Sequence, residues 1–245
     1  TMEIIGYQSL PLIWCNAKKK TIILTNHRVA SLCINDHCKK NGYISFSNQY
    51  SLLTAHENDI STYKLYMFVT SPYSRMISIN PGIMFYTTND NIMNIHYFKS
   101  LMDDEERKNF EIKRRSGDIN DWNYCLDLFI KYFEKYYEEN TKCEIKNGKA
   151  YTVNHGFDGH IATQTHPLIY NESLVNKCTK MDLKELGTPI NKKILLELFD
   201  NPVMNQTHGT RYCIDKKVLL TPKYIQFINK YYSRDFELLN YTMRC

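Results

Sequence analysis

Nowhere does the chain carry an apolar run near the roughly 18 residues that a membrane-spanning helix needs. Its N-terminus, with Thr1 before Met2 resembling a tag remnant, also lacks the basic-then-apolar pattern of a secretory signal. No CxxC pair occurs among the cysteines at 15, 33, 38, 125, 143, 178, 213 and 245. A chain of 245 residues needs no disulfide staples, so these read as mostly reduced core thiols. A cytoplasmic protein without a transmembrane segment is therefore expected. The sequons at Asn171, Asn205 and Asn240 keep a secretory-pathway lumen open as the alternative, should the chain be a fragment of a longer one. Long basic arms are missing too: "KKK" and "KRR" are short, and nucleic acid is not an expected partner. A net charge of +5 leaves two options, a solvated basic surface or an anionic ligand. No His/Cys/Asp cluster shows metal-ligand spacing, and "CINDHC" (residues 33–38) lacks any zinc spacing, so no metal is expected. With no internal repeat and no low-complexity linker, residues 1–245 read as one domain.

Glycine is missing where it would be most telling. The stretch "KKKTIILTNHRVASLCI" (residues 18–34) runs from an apolar segment into a helix-like one with no glycine between them. It is not a Walker A loop, because GKS and GKT are missing, and no run of four apolar residues ending in Asp follows a strand. What is present is an α/β pattern. "MEIIGY" reads as a short strand or arm, "TIILT" as a buried strand, and "VASLCINDHCKK" as the helix behind it, followed by "YISF" and "YSLLTA". "YKLYMFVT" (63–70) is a continuous apolar and β-branched run, as in a strand covered on both faces. Pro72 then stands at a helix start. "DDEERKNFEIKRR" places acids first and bases last, matching the helix dipole. "DINDWNYCLDLFIKYFEKYYEE" places Trp122, Leu126, Phe129 and Phe133 on one face. Helices are also expected at "NKKILLELF" and, as one segment capped by Thr221 with Pro222 following, at "TPKYIQFINKYYSRDFELL". Strands early and helices late predict an α/β three-layer sandwich around a central parallel sheet.

At a strand-to-helix turn, backbone N–H groups and the helix dipole make an anion site. Small residues Ala30 and Ser31 would admit a phosphate, with Arg28 supplying charge; an ordinary connection is the plain alternative. In "FVTSPYSRMIS" (68–78), Arg75 and Ser78 lie three apart on one helical face, where guanidinium and hydroxyl can grip one phosphate. Here the chain resembles the carbohydrate-type sulfotransferases, whose donor is 3′-phosphoadenosine 5′-phosphosulfate (PAPS). "HRVASLC" is similar to their first signature, PKxGST or PKVAST, with Arg28 at the lysine position. "VTSPYSRMIS" is similar to their second, VRxPxxRxxSxY, through Pro72, Arg75 and Ser78. "DGHIATQTHPLI" resembles a mid-chain His-x-x-x-Gln segment at His160 and Gln164. The C-terminus resembles the family's last helix at Tyr232, Asp235, Phe236 and Tyr241, with Asn240 replacing a glycine. The resemblance spans roughly residues 20–241 in order. The departures are Arg28 for lysine, Leu32 for threonine and Thr70 for arginine.

The resemblance implies a P-loop-like sulfotransferase fold and transfer of a sulfuryl group from PAPS to a hydroxyl, carried on a carbohydrate in this family. Arg28 and the backbone N–H groups of Val29, Ala30, Ser31, Leu32 and Cys33 would take the 5′-phosphosulfate. Arg75 and Ser78 would hold the 3′-phosphate, and Arg211 is a further donor-side candidate. The general base is sought in "LLTAHEND": His56 first, with Glu57, His27 and His160 as alternatives, and a purely structural histidine as the plain one. Acceptor loops are expected at residues 80–120 and 140–165. Two other classes stay open. One is a binding protein of this fold without catalysis, favoured by the changes at Arg28, Leu32 and Thr70; the other is a P-loop kinase or nucleotide hydrolase.

Overall fold

The computed structural model describes residues 2–7, 13–26, 30–46, 60–78, 101–114, 116–146, 148–158, 163–165, 172–200, 202 and 219–245. Among them, the strands are β1 Met2–Tyr7, β2 Ile13–Asn16, β3 Thr21–Leu24, β4 Ile44–Phe46, β5 Lys64–Val69, β6 Thr141–Lys146, β7 Lys149–Asp158 and β8 Thr179–Asp182. The helices are α1 Ser31–Lys40, α2 Pro72–Ser78, α3 Asp104–Lys113, α4 Ile119–Asn140, α5 Glu172–Lys177, α6 Pro189–Leu198, α7 Pro222–Tyr231 and α8 Ser233–Leu239. The expected "YSLLTA" element lies outside the described residues. None of these helices is long and apolar enough to cross a membrane.

The larger sheet has the order β4-β2-β3-β5-β8. Strands β3, β5 and β8 are parallel, as the apolar runs "TIIL" and "KLYMFV" predict. The sheet as a whole is mixed, which corrects the expectation of a parallel one: β2 runs antiparallel to both β3 and β4. The reason is local. β2 and β3 are joined by the tight turn 17–20, in which Lys20 adopts φ 47° and its N–H donates to the Ala17 carbonyl. So short a connection can only return the chain antiparallel.

Alternation along the strands gives each face its own core. Ile22, Leu24, Leu65, Met67 and Val69 pack with Leu174 and Val175 of α5 and Leu239 of α8. Ile23, Tyr66 and Phe68 pack with Ile34 and Cys38 of α1 and Leu195 and Leu198 of α6. Each such side chain, fully buried, contributes about 1.5–3 kcal/mol. The smaller sheet, β1-β7-β6, pairs β7 parallel to β1 and antiparallel to β6, with Gly148 at φ +72° in the hairpin turn.

A third core is helical and aromatic. The expected stripe Trp122, Leu126, Phe129 and Phe133 of α4 is buried against Tyr224, Phe227, Ile228 and Tyr231 of α7. Phe133 meets Phe227 and Tyr231 edge-on, with ring centroids 4.9 and 4.8 Å apart. Thr221 caps α7 as expected, and Asp103, Asp118 and Thr188 likewise each accept a bond from a first-turn N–H. The expected single helix from Thr221 onward breaks into α7 and α8 at Tyr232, where ψ moves to 20°. Buried contacts of Tyr232 and Asp235 override the continuous helical propensity there.

Candidate functional site

Three parallel strands end side by side, and the turns leaving their carboxyl ends are where open α/β sheets gather ligands. β3 is followed by buried Thr25 and Asn26 and, after residues 27–29, by Ala30, which enters α1. Ala30 takes the left-handed conformation (φ 57°, ψ 26°) and supplies no side-chain cap to the helix. The start of α1 therefore presents its backbone N–H groups and the positive end of its dipole at the sheet edge. Ser31 is buried, Cys33 half-buried, and Leu32 points outward at 59% exposure. Val29 and the two proposed catalytic residues, Arg28 and His56, lie outside the described residues, as do His27, Glu57, His160 and Arg211. His37 of α1, from "CINDHC", stacks on Phe199 with ring centroids 5.3 Å apart, a packing role.

β5 leads through Thr70 into α2, where Ser71 Oγ accepts from the Ser74 N–H and caps the turn. Arg75 follows, only 1% exposed. Its guanidinium faces inward near Asp235, Tyr232 and Tyr224; burial raises the pKa values of all three, and the Arg75 charge pulls against that rise. Ser78 Oγ donates to the Arg75 carbonyl at 2.6 Å. The pair expected to grip a phosphate is thus close in space, with the hydroxyl bonded within its own helix and the guanidinium turned into the protein.

Asp235 of α8 is fully buried and accepts from the Gln164 N–H (2.9 Å), the Thr165 N–H (3.2 Å) and the Thr165 hydroxyl (3.2 Å). Burial raises its carboxyl above the ordinary value, against the pull of Arg75 and these bonds. The Gln164 side chain in turn engages the backbone of Thr70: Oε1 accepts from its N–H (3.0 Å) and Nε2 donates to its carbonyl (2.7 Å). Asn26 Nδ2 donates to the Thr163 carbonyl at 2.8 Å. At the end of β8, Asp182 Oδ2 accepts from the Tyr241 hydroxyl at 2.5 Å. The residue before that tyrosine, Asn240, caps α8 with φ 58°, a conformation glycine and asparagine adopt most readily.

Asn26, just ahead of the first stretch, and residues of the other three therefore meet at one sheet edge. Asn26, Thr163 and Thr165 carry this meeting but were not singled out from sequence. The alternation "TQT" around Gln164 is the only local signal for the two threonines. The expected acceptor segments contribute α3 and the β6–β7 hairpin among the described residues. Compared with family models, curated proteins and solved structures, the chain matches none of them.

Proposed function

We propose that the protein is a sulfotransferase that moves a sulfuryl group from PAPS to a hydroxyl, most simply that of a carbohydrate, on a P-loop-like three-layer fold. One observation carries this reading. Asn26, just ahead of the first signature-like stretch, and the other three stretches, out to Tyr241, converge on the carboxyl ends of β3, β5 and β8 through buried and half-buried hydrogen bonds. Helices packed on both faces of the larger sheet support the three-layer description.

In this reading the start of α1, with Arg28, takes the 5′-phosphosulfate. Sulfuryl transfer builds charge on the bridging oxygen to the leaving phosphate, and donors aimed at that oxygen lower the barrier without reorganising. Ser78 reaches the 3′-phosphate by rotating its hydroxyl away from the Arg75 carbonyl, and Arg75 adds its charge to that side. His56, or one of its alternatives, removes the acceptor proton. The inward placement of Arg75, and the bond that ties the Ser78 hydroxyl to its own helix, favour a second reading, a protein of this fold that binds without transferring.

Thermal denaturation with 3′-phosphoadenosine 5′-phosphate, ATP or buffer tests the donor assignment. Stabilisation by the first, reaching about 2.7 kcal/mol at a hundredfold excess over Kd, is expected. A larger shift with ATP would move the protein to the kinase class, and no shift with either would remove the nucleotide site. Radiolabelled transfer from PAPS to a panel of sugars then separates the enzyme from the binding protein.

A further inference from the structure

Thr163, Gln164 and Thr165 are buried to within 2% exposure, although they belong to no helix or strand. A buried irregular segment must have its backbone groups satisfied by its surroundings, and here the partners come from three sides. Asn26, beyond the end of β3, holds the Thr163 carbonyl. Thr70, beyond the end of β5, exchanges two bonds with the Gln164 amide, much as a neighbouring strand would. Asp235 holds two N–H groups and a hydroxyl from below. The β3–β5 register runs from Thr21↔Lys64 to Leu24↔Met67. Asn26 and Thr70 lie past that last pair, and the 163–165 strap joins the two turns where the register ends.

We propose that Gln164 is a positioning residue: through this strap it fixes the turn into α1 and the turn into α2 at one spacing, so that a nucleotide carrying two phosphates is met at both ends at once. This rests on the reading of those turns as the 5′- and 3′-phosphate sites. Two-point binding gains from the second contact only when the spacing matches the ligand, because a mismatched spacing lowers the effective concentration of the second site. A strap of buried hydrogen bonds sets that spacing without touching the ligand, which is the function of a supporting shell behind a binding site.

The test uses the full chain with Gln164→Met, which keeps the volume and removes both bonds to Thr70, and Asn26→Ala, which releases the opposite side. Hydrogen exchange should quicken by about tenfold, the scale set by losing one or two buried hydrogen bonds, at residues 30–34 and also at 71–75 in each variant. Calorimetry should show the preference for 3′-phosphoadenosine 5′-phosphate over adenosine 5′-phosphate falling by about the same factor, with the single-phosphate affinity nearly unchanged. Exchange that quickens only beside the substituted residue would overturn the strap. Coupled exchange with an unaltered nucleotide preference would overturn the positioning role. A wild-type protein that binds neither nucleotide would instead overturn the donor assignment, and exchange alone would still decide whether the strap couples the two turns. If Gln164→Met does not fold, Asn26→Ala carries both readouts.

Discussion

Asp235 is a carboxylate without solvent contact, raised above its ordinary pKa by burial. The folded state therefore holds its proton up to a higher pH than the unfolded chain, whose aspartates titrate near about 3.9. Between those two values the folded protein binds more protons, so its stability falls as pH rises through the window and then levels. Asp235→Asn removes the slope: urea denaturation from about pH 4 to about pH 8 should show wild type losing stability relative to the variant. A constant difference across that range would contradict the raised carboxyl. Arg75→Ala empties the space of a side chain only 1% exposed and so disturbs the interior, which makes it a poor probe of phosphate binding. Ser78→Ala is the cleaner one. Losing its hydroxyl should lower the preference for 3′-phosphoadenosine 5′-phosphate by roughly fivefold, about 1 kcal/mol, and an unchanged ratio in calorimetry would remove Ser78 from the donor site. Arg75 and Asp235 were both legible in sequence as members of motifs. That the Arg75 charge reaches Asp235 was not, because helical spacing pairs Arg75 with Ser78 and is silent about the last helix.

Elements with a strong repeating pattern were legible, and those with a weak one were not. The stripe of α4 from Trp122 to Phe133 keeps apolar residues at helical spacing over about three turns, and its buried face is the one expected. Phe133 lies at the centre of that packing, fully buried, so Phe133→Ala should destabilise by about 3–5 kcal/mol in chemical denaturation. Thr221→Ala, which removes the cap on the Tyr224 N–H, should cost only about 1 kcal/mol. Similar losses from the two would mean that the aromatic face does not hold α7 against α4. The strands β2 ("IWCN") and β8 ("TKMD") escaped because polar residues interrupt them, leaving no continuous apolar run like "TIIL". β6 and β7 escaped for a different reason. Tyr151 and Val153 alternate inward, but the lysines and threonines between them dilute the apolar signal of a one-sided hairpin. The mixed sheet followed from missing β2, since its turn into β3 fixes the direction.

On the scale of the whole molecule, three cores must act together for the sheet edge to hold its shape: one on each face of the larger sheet and one among the helices. Each contains one buried cysteine, Cys178 and Cys38 on the two sheet faces and Cys125 in the helical cluster. None of the seven described cysteines is in a disulfide. Burial raises all three buried thiols, Cys125 and Cys178 to about 12, so at pH 8 they carry almost no thiolate and are shielded as well. Cys143 and Cys245 are exposed. A thiol-reactive reagent should therefore modify these two quickly in the native protein and the buried three only as their own core opens. Pulsed labelling across a urea series, read by mass spectrometry, then reports each core separately. If residues 1–245 are one cooperative domain, Cys38, Cys125 and Cys178 become reactive at one urea concentration, as two-state unfolding requires. If Cys125 opens before the other two, the helical cluster unfolds on its own. In that case Asp235 and Arg75, which stand where that cluster meets the sheet edge, would lose their surroundings while the strands remained folded.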